Sequence, residues 1–401
     1  MTAESCEVVI VGGGPAGLTA AIALAGAGLA TTLVARRPPA PDHRTTALLA
    51  GSVTALELVG VWPCCRQHAG PLRVMRIVDD TARLLRAPEV SFVADEIGLD
   101  AFAQNIENRH LVAALEARAR ELAALELIDD EADVVEVAAA QVTVTLKGGG
   151  TVLARLAIGA DGRHSRCRTA AGIEVESRSY PQTALTLNLR HSREHRDTST
   201  EFHTEAGPFT LVPLPGRRSS LVFVMAPEDS DRLTALTDAA MAEEIERRSH
   251  SILGAVEVEP GRGLFPLSVA TATRFGANRT ALIGEAAHVI PPIGAQGLNL
   301  GLRDAASIAE LVIDAQRDGG DVGAPELTDR YDRMRRADVA SRTLAVDVLN
   351  RSLLSKHLPL QGMRGLSFYL LEHVGPLRRA VMREGVMPRI AQPRLMRGEA
   401  L

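Results

Sequence analysis

The sequence of 401 residues predicts an α/β fold built on a doubly wound parallel sheet, and three observations lead to this class. Residues 7–11 form a short β-branched apolar run, residues 16–27 are rich in helix formers, and residues 31–34 form a second β-branched run. A strand–helix–strand unit of this kind requires parallel strands. Residues 153–158 and 281–283 are further predicted strands, and each precedes a glycine-containing loop.

The apolar pattern predicts the remaining elements. Helices are predicted at residues 108–125, 238–248 and 300–313, and after residue 327 with interruptions at Pro359, Pro376 and Pro388. Strands are predicted at residues 134–137, 142–146 and 151–158, and at several places between residues 183 and 224. Apolar strand residues such as Leu211, Leu221 and Phe223 either line a substrate site or belong to the core, and the pattern leaves both open.

Composition and charge exclude several classes of protein. Hydrophobic residues make up 46% and charged residues 23% of the chain, the balance of an ordinary globular protein. The net charge of −5 and an aromatic content of 3% disfavour a nucleic-acid partner. The four cysteines form no CxxC pair and no histidine has zinc-ligand spacing, so we expect no metal and a reduced, cytosolic protein.

One uncharged stretch, residues 8–35, is long enough to span a bilayer. Six glycines and a proline within it argue against a single membrane helix. Glu4 and Glu7 stand where a signal peptide would carry positive charge. We therefore expect no membrane span in this stretch.

The first predicted strand leads into the sequence GGGPAG at residues 12–17, which satisfies the GxGxxG pattern and opens a helix. Gly12 allows a tight turn, Gly14 lets the backbone approach a pyrophosphate, and Gly17 permits close packing of helix on strand. Free N–H groups at the helix N-terminus favour phosphate. The loop predicts a dinucleotide site contacted by Gly12, Gly14, Pro15, Ala16 and Gly17, although an ordinary glycine turn shares the local pattern.

An acidic residue that binds the ribose hydroxyls is expected at the end of the second strand. Ala35 occupies that place, and Arg36 and Arg37 follow it. Because arginine here suits the 2′-phosphate of NADP, this loop alone leaves NADP and FAD both open.

Two later loops also follow predicted strands. Residues 159–168 read GADGRHSRCR, for which the alternative is an Asp-Gly turn with Ser165 capping a helix. Residues 284–304 read GEAAHVIPPIGAQGLNLGLRD, for which the alternative is a structural Pro/Gly loop. The helix after this loop directs its positive N-terminus back at it, which suits an electron-rich ring such as a reduced flavin. We interpret His288, within the loop, as structural.

Together the three loops resemble those of the aromatic-ring hydroxylases, single-component flavoprotein monooxygenases with a p-hydroxybenzoate-hydroxylase-like fold. The resemblance covers most of the chain and is closest to the ubiquinone-biosynthesis hydroxylases, on residues 44–62, 105–115, 213–222 and 295–304. It implies a discontinuous Rossmann-like FAD-binding domain, a β-sheet substrate domain and a C-terminal helical region. The expected boundaries are 1–75, 100–180 and 264–330 for the first, 76–99 and 181–263 for the second, and 331–401 for the third.

The resemblance also implies the cofactor contacts and the reaction. Beyond the first loop the contacts are Arg36, Arg37, Arg44, Arg109, Asp161, Gly284, Glu285, Gly297, Leu298 and Asn299, and the ring-facing loop comprises Pro292, Gly294, Ala295, Gln296 and Gly297. No side chain is assigned as catalytic, because FAD carries the chemistry. NAD(P)H is implied as the co-substrate. Through a flavin C4a-hydroperoxide, O2 is expected to hydroxylate the ring of a polyprenylphenol intermediate of ubiquinone biosynthesis.

Three positions depart from the family pattern. Glu285 replaces an aspartate that meets the ribityl hydroxyls, Ala295 replaces the first glycine of GQG, and Ala35 replaces the ribose-binding acid. These departures keep open a non-catalytic flavin- or NADP-binding subunit of a biosynthetic assembly. A hydroxylase of a soluble aromatic metabolite is the other alternative.

The end of the chain is basic. Residues 350–401 contain nine lysines and arginines against three glutamates, so their net charge is +6. Leucines and Phe368 are interleaved with these charges, which fits an anionic lipid surface or an acidic partner as well as it fits a solvated helical cap. We expect this region to make peripheral contact with the inner membrane, where a prenylated phenol resides, or with a ubiquinone-biosynthesis complex.

Overall fold

The computed structural model describes residues 4–36, 42–81, 86–205, 207–292, 294–354, 367–386 and 392–401, without the side chains of residues 344–354. The strands, in chain order, are β1 Glu4–Val11, β2 Thr31–Val34, β3 Thr45–Leu49, β4 Ala69–Leu72, β5 Val74–Asp79, β6 Val90–Val93, β7 Ala103–Glu107, β8 Leu125–Ile128, β9 Ala132–Val137, β10 Val142–Leu146, β11 Thr151–Gly159, β12 Val175–His191, β13 Thr198–His203, β14 Pro208–Leu214, β15 Arg218–Met225, β16 Val256–Val258, β17 Gly263–Ala272, β18 Gly276–Ala277, β19 Thr280–Leu282 and β20 His288–Val289. The α-helices that follow or separate them are α1 Pro15–Gly26, α2 Ala50–Leu58, α3 Trp62–Cys65, α4 Asn108–Arg120, α5 Arg166–Ala170, α6 Pro227–Thr234, α7 Asp238–Arg248, α8 Gln296–Arg317 and α9 Pro325–Leu354, with shorter helical segments at residues 367–373, Gly375–Val386 and Arg394–Arg397.

The first sheet has the strand order β18-β19-β11-β1-β2-β8, and its five strands from β19 to β8 are mutually parallel. β1 lies between β2 and β11, with Val11 opposite Val34 on one side and Gly159 on the other. The predicted α/β class is confirmed. Its core is apolar on both faces, as in other parallel sheets, and Val8, Val9 and Ile10 have no exposed surface.

The second sheet has nine strands and two different faces. Leu211, Leu221 and Phe223 lie on one face, in an apolar cluster with Leu233 of α6 and Met241 of α7. Of the two possibilities left open for these three residues, the structure therefore selects the core. The residues that alternate with these along each strand lie on the opposite face, which contacts the FAD-binding domain.

Differences from the sequence predictions lie at element ends. The helix beginning at residue 108 ends at Arg120, and residues 125–128 form β8 instead of its last turn. The interruption predicted at Pro376 is confirmed, since the helical segment 367–373 ends there and Gly375–Val386 begins with Pro376 in its first turn, where a proline needs no N–H partner. Pro359 and Pro388 lie outside the described residues. The expected domain boundaries also differ from the observed elements. β12 crosses the boundary expected after residue 180, and α9 crosses the one expected after residue 330. β17 lies in the second sheet, although residues 264–272 were expected in the FAD-binding domain.

A third sheet of β3, β7 and β4 joins the two larger units. The Thr45 hydroxyl in β3 donates a hydrogen bond of 2.8 Å to the Ser220 hydroxyl in β15. Arg218 donates to Glu259 at 2.6 Å and to the buried Glu107 at 2.9 Å. These contacts raise the pKa of Arg218 and hold the substrate sheet against the N-terminus of α4.

The C-terminal helical segments pack back onto both units. Phe368, Met382 and Val386 form an apolar cluster with Phe92 and Phe102 beside the second sheet. The segment Arg394–Arg397 packs on α2 and α8, where Arg394 pairs with Asp314. Among the residues that the structure describes, no helix is both long and apolar enough to cross a membrane.

Candidate active site

Three loops meet at one edge of the parallel sheet because they follow three neighbouring strands. The loop after β1 contains Gly12, the loop after β11 contains Ala160, and the loop after β19 contains Gly284. Backbone hydrogen bonds tie these strand ends together, from Ala160 N–H to the carbonyl of Val11 and from Ile283 N–H to that of Gly159. In open α/β sheets ligands bind at the carboxyl ends of the strands, so this edge is the candidate cofactor site.

Each glycine of the first loop has a distinct geometry. Gly12 has φ 114°, and a Cβ there would lie 2.2 Å from the carbonyl oxygen of Ala160. A Cβ at Gly17 would lie 2.0 Å from the carbonyl oxygen of Gly12, so helix α1 packs on the loop through bare backbone. A Cβ at Gly14 would meet nothing within 4 Å, and Gly14 caps α1 without any side-chain hydrogen bond. The N-terminus of α1 therefore faces open space.

The second loop has the capping role that was considered as an alternative. Ser165 accepts a hydrogen bond from the Arg168 N–H, and one oxygen of Asp161 accepts from the N–H groups of Arg166 and Cys167. The other oxygen of Asp161 is buried and accepts no hydrogen bond from the described residues. A contact between Asp161 and FAD stays a prediction.

The third loop leads into α8 through residues with left-handed backbone. Gly294 has φ 68°, and Ala295 has φ 52° and ψ 33°. An alanine in this conformation costs roughly 1 kcal/mol relative to glycine, so the departure at residue 295 adds backbone strain to the loop. Gln296 donates to the carbonyl of Gly294 and accepts from Arg342. Pro292 and Gly294 are exposed.

The predicted arginine contacts lie near one another. Arg44 stacks over Phe265 and pairs with Asp42, whose backbone carbonyl accepts from the Arg109 N–H. Arg109 also pairs with Glu107 at 2.8 Å. The hydrogen bond to Asp42 raises the pKa of Arg44, and the nearby charge of Glu285 adds to this effect. Arg44 and Arg109 thus flank one edge of the site.

Two other residues predicted to contact FAD, Glu285 and Asn299, have partners within the protein. Glu285 is half exposed and forms an ion pair with Arg163 at 3.1 Å. Asn299 is buried and uses its whole amide within the protein, accepting from Leu49 N–H and the Ser52 hydroxyl and donating to the carbonyls of Ala47 and Ala295. Asn299 therefore links β3 to the start of α8, and Leu298 beside it is only partly buried.

The two predicted contacts that follow β2 differ in what the structure describes. Arg36 is exposed, and Arg37 lies outside the described residues.

A buried ion network, which the sequence analysis did not predict, lies behind the third loop. Asp304 of α8 accepts from Gly284 N–H at 3.0 Å, from His288 at 2.6 Å and from Arg335 of α9 at 2.7 Å. Burial opposes its charge, but His288 and Arg335 outweigh burial and lower the pKa of Asp304. This contact supports the structural interpretation of His288.

The network continues along α9 to the ring-facing loop. Arg335 and Arg303 both pair with Asp338, which also pairs with Arg342, the donor to Gln296. Burial by itself would raise the pKa of Asp338, but the guanidiniums of Arg335 and Arg303 lower it to about 2. The carboxylates of α8 and α9 therefore fix Gly284 at one end of the loop and Gln296 at the other.

A second group missed by sequence reasoning lies on the face of the substrate sheet that meets the first domain. Glu201 accepts from the buried His203 at 2.7 Å and from the Thr210 hydroxyl at 3.3 Å. Glu201 is directly opposite Thr210, which is opposite Val222, two residues from Ser220 and its bond to Thr45. Thus the same face carries the Glu201–His203 pair and contacts β3, the strand that Asn299 joins to the start of α8.

The arrangement fits FAD. The open space at Gly14 and the uncapped start of α1 suit a pyrophosphate, and the unpaired oxygen of Asp161 suits a hydroxyl donor. Gly284 lies beside Ala16 in the first turn of α1, and Arg44 stacks over Phe265 of the substrate sheet. No group of three or more metal-ligating side chains was found in the described part of the chain.

Comparison with known proteins agrees with this geometry. The family model described as FAD binding domain matches residues 5–346. The ubiquinone hydroxylase UbiL of Rhodospirillum rubrum is 35% identical, over 98% of this chain and 93% of that protein. The 3-demethoxyubiquinol 3-hydroxylase of Escherichia coli is 30% identical, over 96% and 99% of the two chains. The crystal structure of the p-nitrophenol 4-monooxygenase PnpA from Pseudomonas putida superposes with a TM-score of 0.80 at 19% identity, over 97% and 100% of the chains, so it shares the fold.

The fold and the site are those of an FAD-dependent monooxygenase. The chain belongs to the FAD binding domain family, and the predictions of the family, of FAD as cofactor and of a flavoprotein hydroxylase are confirmed. NAD(P)H is the co-substrate typical of that family. The assignment of individual contact residues stays a prediction.

Replacing Gly14 and Gly17 separates cofactor binding from folding. Gly14→Ala should change the free energy of unfolding of the apoprotein by less than about 1 kcal/mol, because its Cβ meets open space. It should weaken FAD binding at least tenfold, because the methyl group occupies the approach of the pyrophosphate. Gly17→Ala should lower the free energy of unfolding by about 1–3 kcal/mol through overpacking. Urea unfolding and FAD fluorescence titration measure the two effects, and unchanged FAD affinity in Gly14→Ala would contradict the placement.

The ion network predicts a stability loss in acid. Because Asp338 has a lowered pKa in the folded state, its contribution is complete above about pH 4 and disappears as pH falls toward about 2. Asp338→Asn should lower the free energy of unfolding by roughly 2 kcal/mol at pH 7 and flatten its pH dependence between these values. Exposed Asp318→Asn is the control and should retain the wild-type slope. An equal slope in Asp338→Asn, measured by urea unfolding, would refute this assignment.

Proposed function

We propose that this protein hydroxylates the aromatic ring of a polyprenylphenol intermediate of ubiquinone biosynthesis, with NAD(P)H and O2 as co-substrates. The names of the two relatives support a substrate of this class, since one is a ubiquinone hydroxylase and the other acts on a demethoxyubiquinol. One observation in the structure carries the proposal. The Glu201–His203 pair adjoins the apolar cluster of the C-terminal helices, and the rings of His203 and Phe368 lie 6.0 Å apart.

The polar part of this arrangement suits a phenol. A bound phenol must lose its proton to become electron-rich, and Glu201 with His203 and Thr210 can accept that proton and hold the oxygen. When bound, FAD accepts a hydride from NAD(P)H and activates O2. The protein contributes orientation, through the ring-facing loop fixed by Arg342 and Asn299, and exclusion of water by the substrate sheet.

The apolar part suits a prenyl chain. The cluster beside His203 contains Phe92, Phe102, Met382 and Val386, and it continues to the outer helices. A short soluble aromatic compound needs no such apolar surroundings. The alternative of a hydroxylase for a soluble metabolite therefore receives less support than the prenylated substrate.

An activity measurement tests the proposal. The purified protein should show a flavin spectrum, and a short-chain prenylphenol should stimulate NAD(P)H oxidation with formation of hydroxylated product. Glu201→Gln should lower the rate of product formation at least tenfold with FAD affinity unchanged, because the variant cannot accept the phenol proton. Exposed Glu228→Gln on α6 is the matched control and should behave as wild type. A protein that never binds FAD would instead support the non-catalytic subunit, for which Ala35, Glu285 and Ala295 are the sequence argument.

We further propose that the C-terminal helices contact an anionic membrane surface. Leu370, Val374, Leu377 and Val381 are exposed at spacings of four, three and four residues, the spacing of one helix face, on the consecutive segments 367–373 and Gly375–Val386 and at their junction. Tyr369 next to them is 52% exposed, and Arg379 and Arg383 lie on the same segments. The opposite side of these helices covers the apolar cluster. A prenylphenol leaving the bilayer would then meet the substrate site without crossing water.

Liposome sedimentation of the full chain tests this contact. Simultaneous Leu370→Ser, Leu377→Ser and Val381→Ser should reduce binding to anionic vesicles at least tenfold, because each removes exposed apolar surface from the stripe. Leu58→Ser, Val134→Ser and Val175→Ser remove equally exposed residues elsewhere and should leave binding unchanged. Equal losses in both triple variants would show non-specific adsorption and refute the proposal.

A further inference from the structure

A surface cavity of about 650 Å³ lies on the helix-covered face of the substrate sheet, away from the flavin side. Arg76 of β5, Thr200 of β13 and Leu211 of β14 form one row across three neighbouring strands. Leu211 belongs to the apolar cluster of α6 and α7, which identifies this face. Glu201 and Thr210, the neighbours of Thr200 and Leu211 along the chain, point to the other face. The cavity is therefore separate from the proposed active site.

Four arginines line the cavity, and one carboxylate is present among the lining residues. Arg217 lies 3.8 Å from that carboxylate, Glu194, and Arg76 lies 3.8 Å from the half-exposed Glu89 outside the lining. Both separations are too long for hydrogen-bonded pairs. The Nε of Arg76 is buried and donates to no described residue. The cavity thus holds an excess of positive charge with unused donors.

The other two arginines are supplied by the loop between β12 and β13. Arg193 donates to the carbonyl of Ser251, which fixes its position at the rim. Arg196 makes no side-chain hydrogen bond or ion pair with any described residue. Arg196 and Asp197 have φ 52° and 54°, and the Thr198 N–H bonds to the His195 carbonyl, so they form a type I′ turn. Asparagine and glycine favour this turn, so an arginine there is retained at a cost in backbone strain.

We propose that this cavity binds a small multivalent anion that carries phosphate or carboxylate groups. Guanidinium forks match both groups in bidentate geometry, and four of them around one space repel each other unless an anion is present. Leu211, Ile252 and Leu253 provide an apolar floor for the body of such a ligand. The volume lies in the range of small-molecule sites.

Isothermal titration of the FAD-saturated protein with inorganic pyrophosphate and with citrate tests the site. Saturation with FAD keeps the probes from the glycine loop, and chloride at equal ionic strength is the reference. Each probe that binds should show saturable 1:1 binding. Binding of pyrophosphate alone assigns a phosphate ligand, and binding of citrate alone assigns a carboxylate ligand. Absence of saturable binding by both probes up to 10 millimolar, roughly the weak limit of specific recognition, overturns the proposal.

Variants separate this site from general charge effects. Combined Arg76→Gln and Arg217→Gln should weaken binding at least tenfold. Arg66→Gln, which removes an exposed arginine that pairs with Glu57 and does not line the cavity, should leave binding unchanged. Arg196→Gly relieves the strained turn, so it should keep or raise the thermal midpoint without anion while weakening binding several-fold. Retention of wild-type affinity by both cavity variants would overturn the proposal, and it cannot be attributed to misfolding.

Discussion

The buried carboxylate of Asp304 is the constraint on which the cofactor site depends. It holds the turn at Gly284, the side chain of His288 and the helix α9 at one point, and α9 in turn fixes the ring-facing loop through Asp338 and Arg342. Burying these charges costs solvation free energy, which the several partners of each group offset. The long third loop is consequently braced at both ends, and Ala295 retains a left-handed conformation within it.

The substrate sheet uses its two faces for different purposes because side chains alternate along each strand. Glu201 and Thr210 lie on the face that contacts the first domain through Ser220, and Thr200 and Leu211 lie on the face that meets the helices and the basic cavity. Arg218 and the bond between Thr45 and Ser220 orient the first face toward the cofactor. A single shift of register would exchange the two sets of side chains.

The sequence was most informative where local patterns decide the structure. The unit β1–α1–β2 could be predicted from its apolar runs and glycines, and the three loops could be predicted from their motifs. Leu211, Leu221 and Phe223 could not be assigned to a face, since alternation does not say which face the helices cover. The ion network was missed because Asp304, Arg335 and Asp338 are distant or ordinary in sequence and become partners only when α8 packs on α9. Residues 121–124 favour a helix locally, but the chain turns there to place β8 beside β2.

The order of strands in the first sheet has a consequence for synthesis of the protein. β1 meets β11 at Val11 and Gly159, and β11 meets β19 at Gly159 and Leu282, so the sheet closes only after most of the chain has emerged from the ribosome. One edge of β1, among the most apolar segments, has no partner until β11 emerges, and one edge of β11 then has none until β19 follows. Such long-range pairing slows folding and exposes aggregation-prone edges. The chain is therefore most prone to aggregation during translation. FAD can stabilise only the completed sheet, because its site requires all three loops.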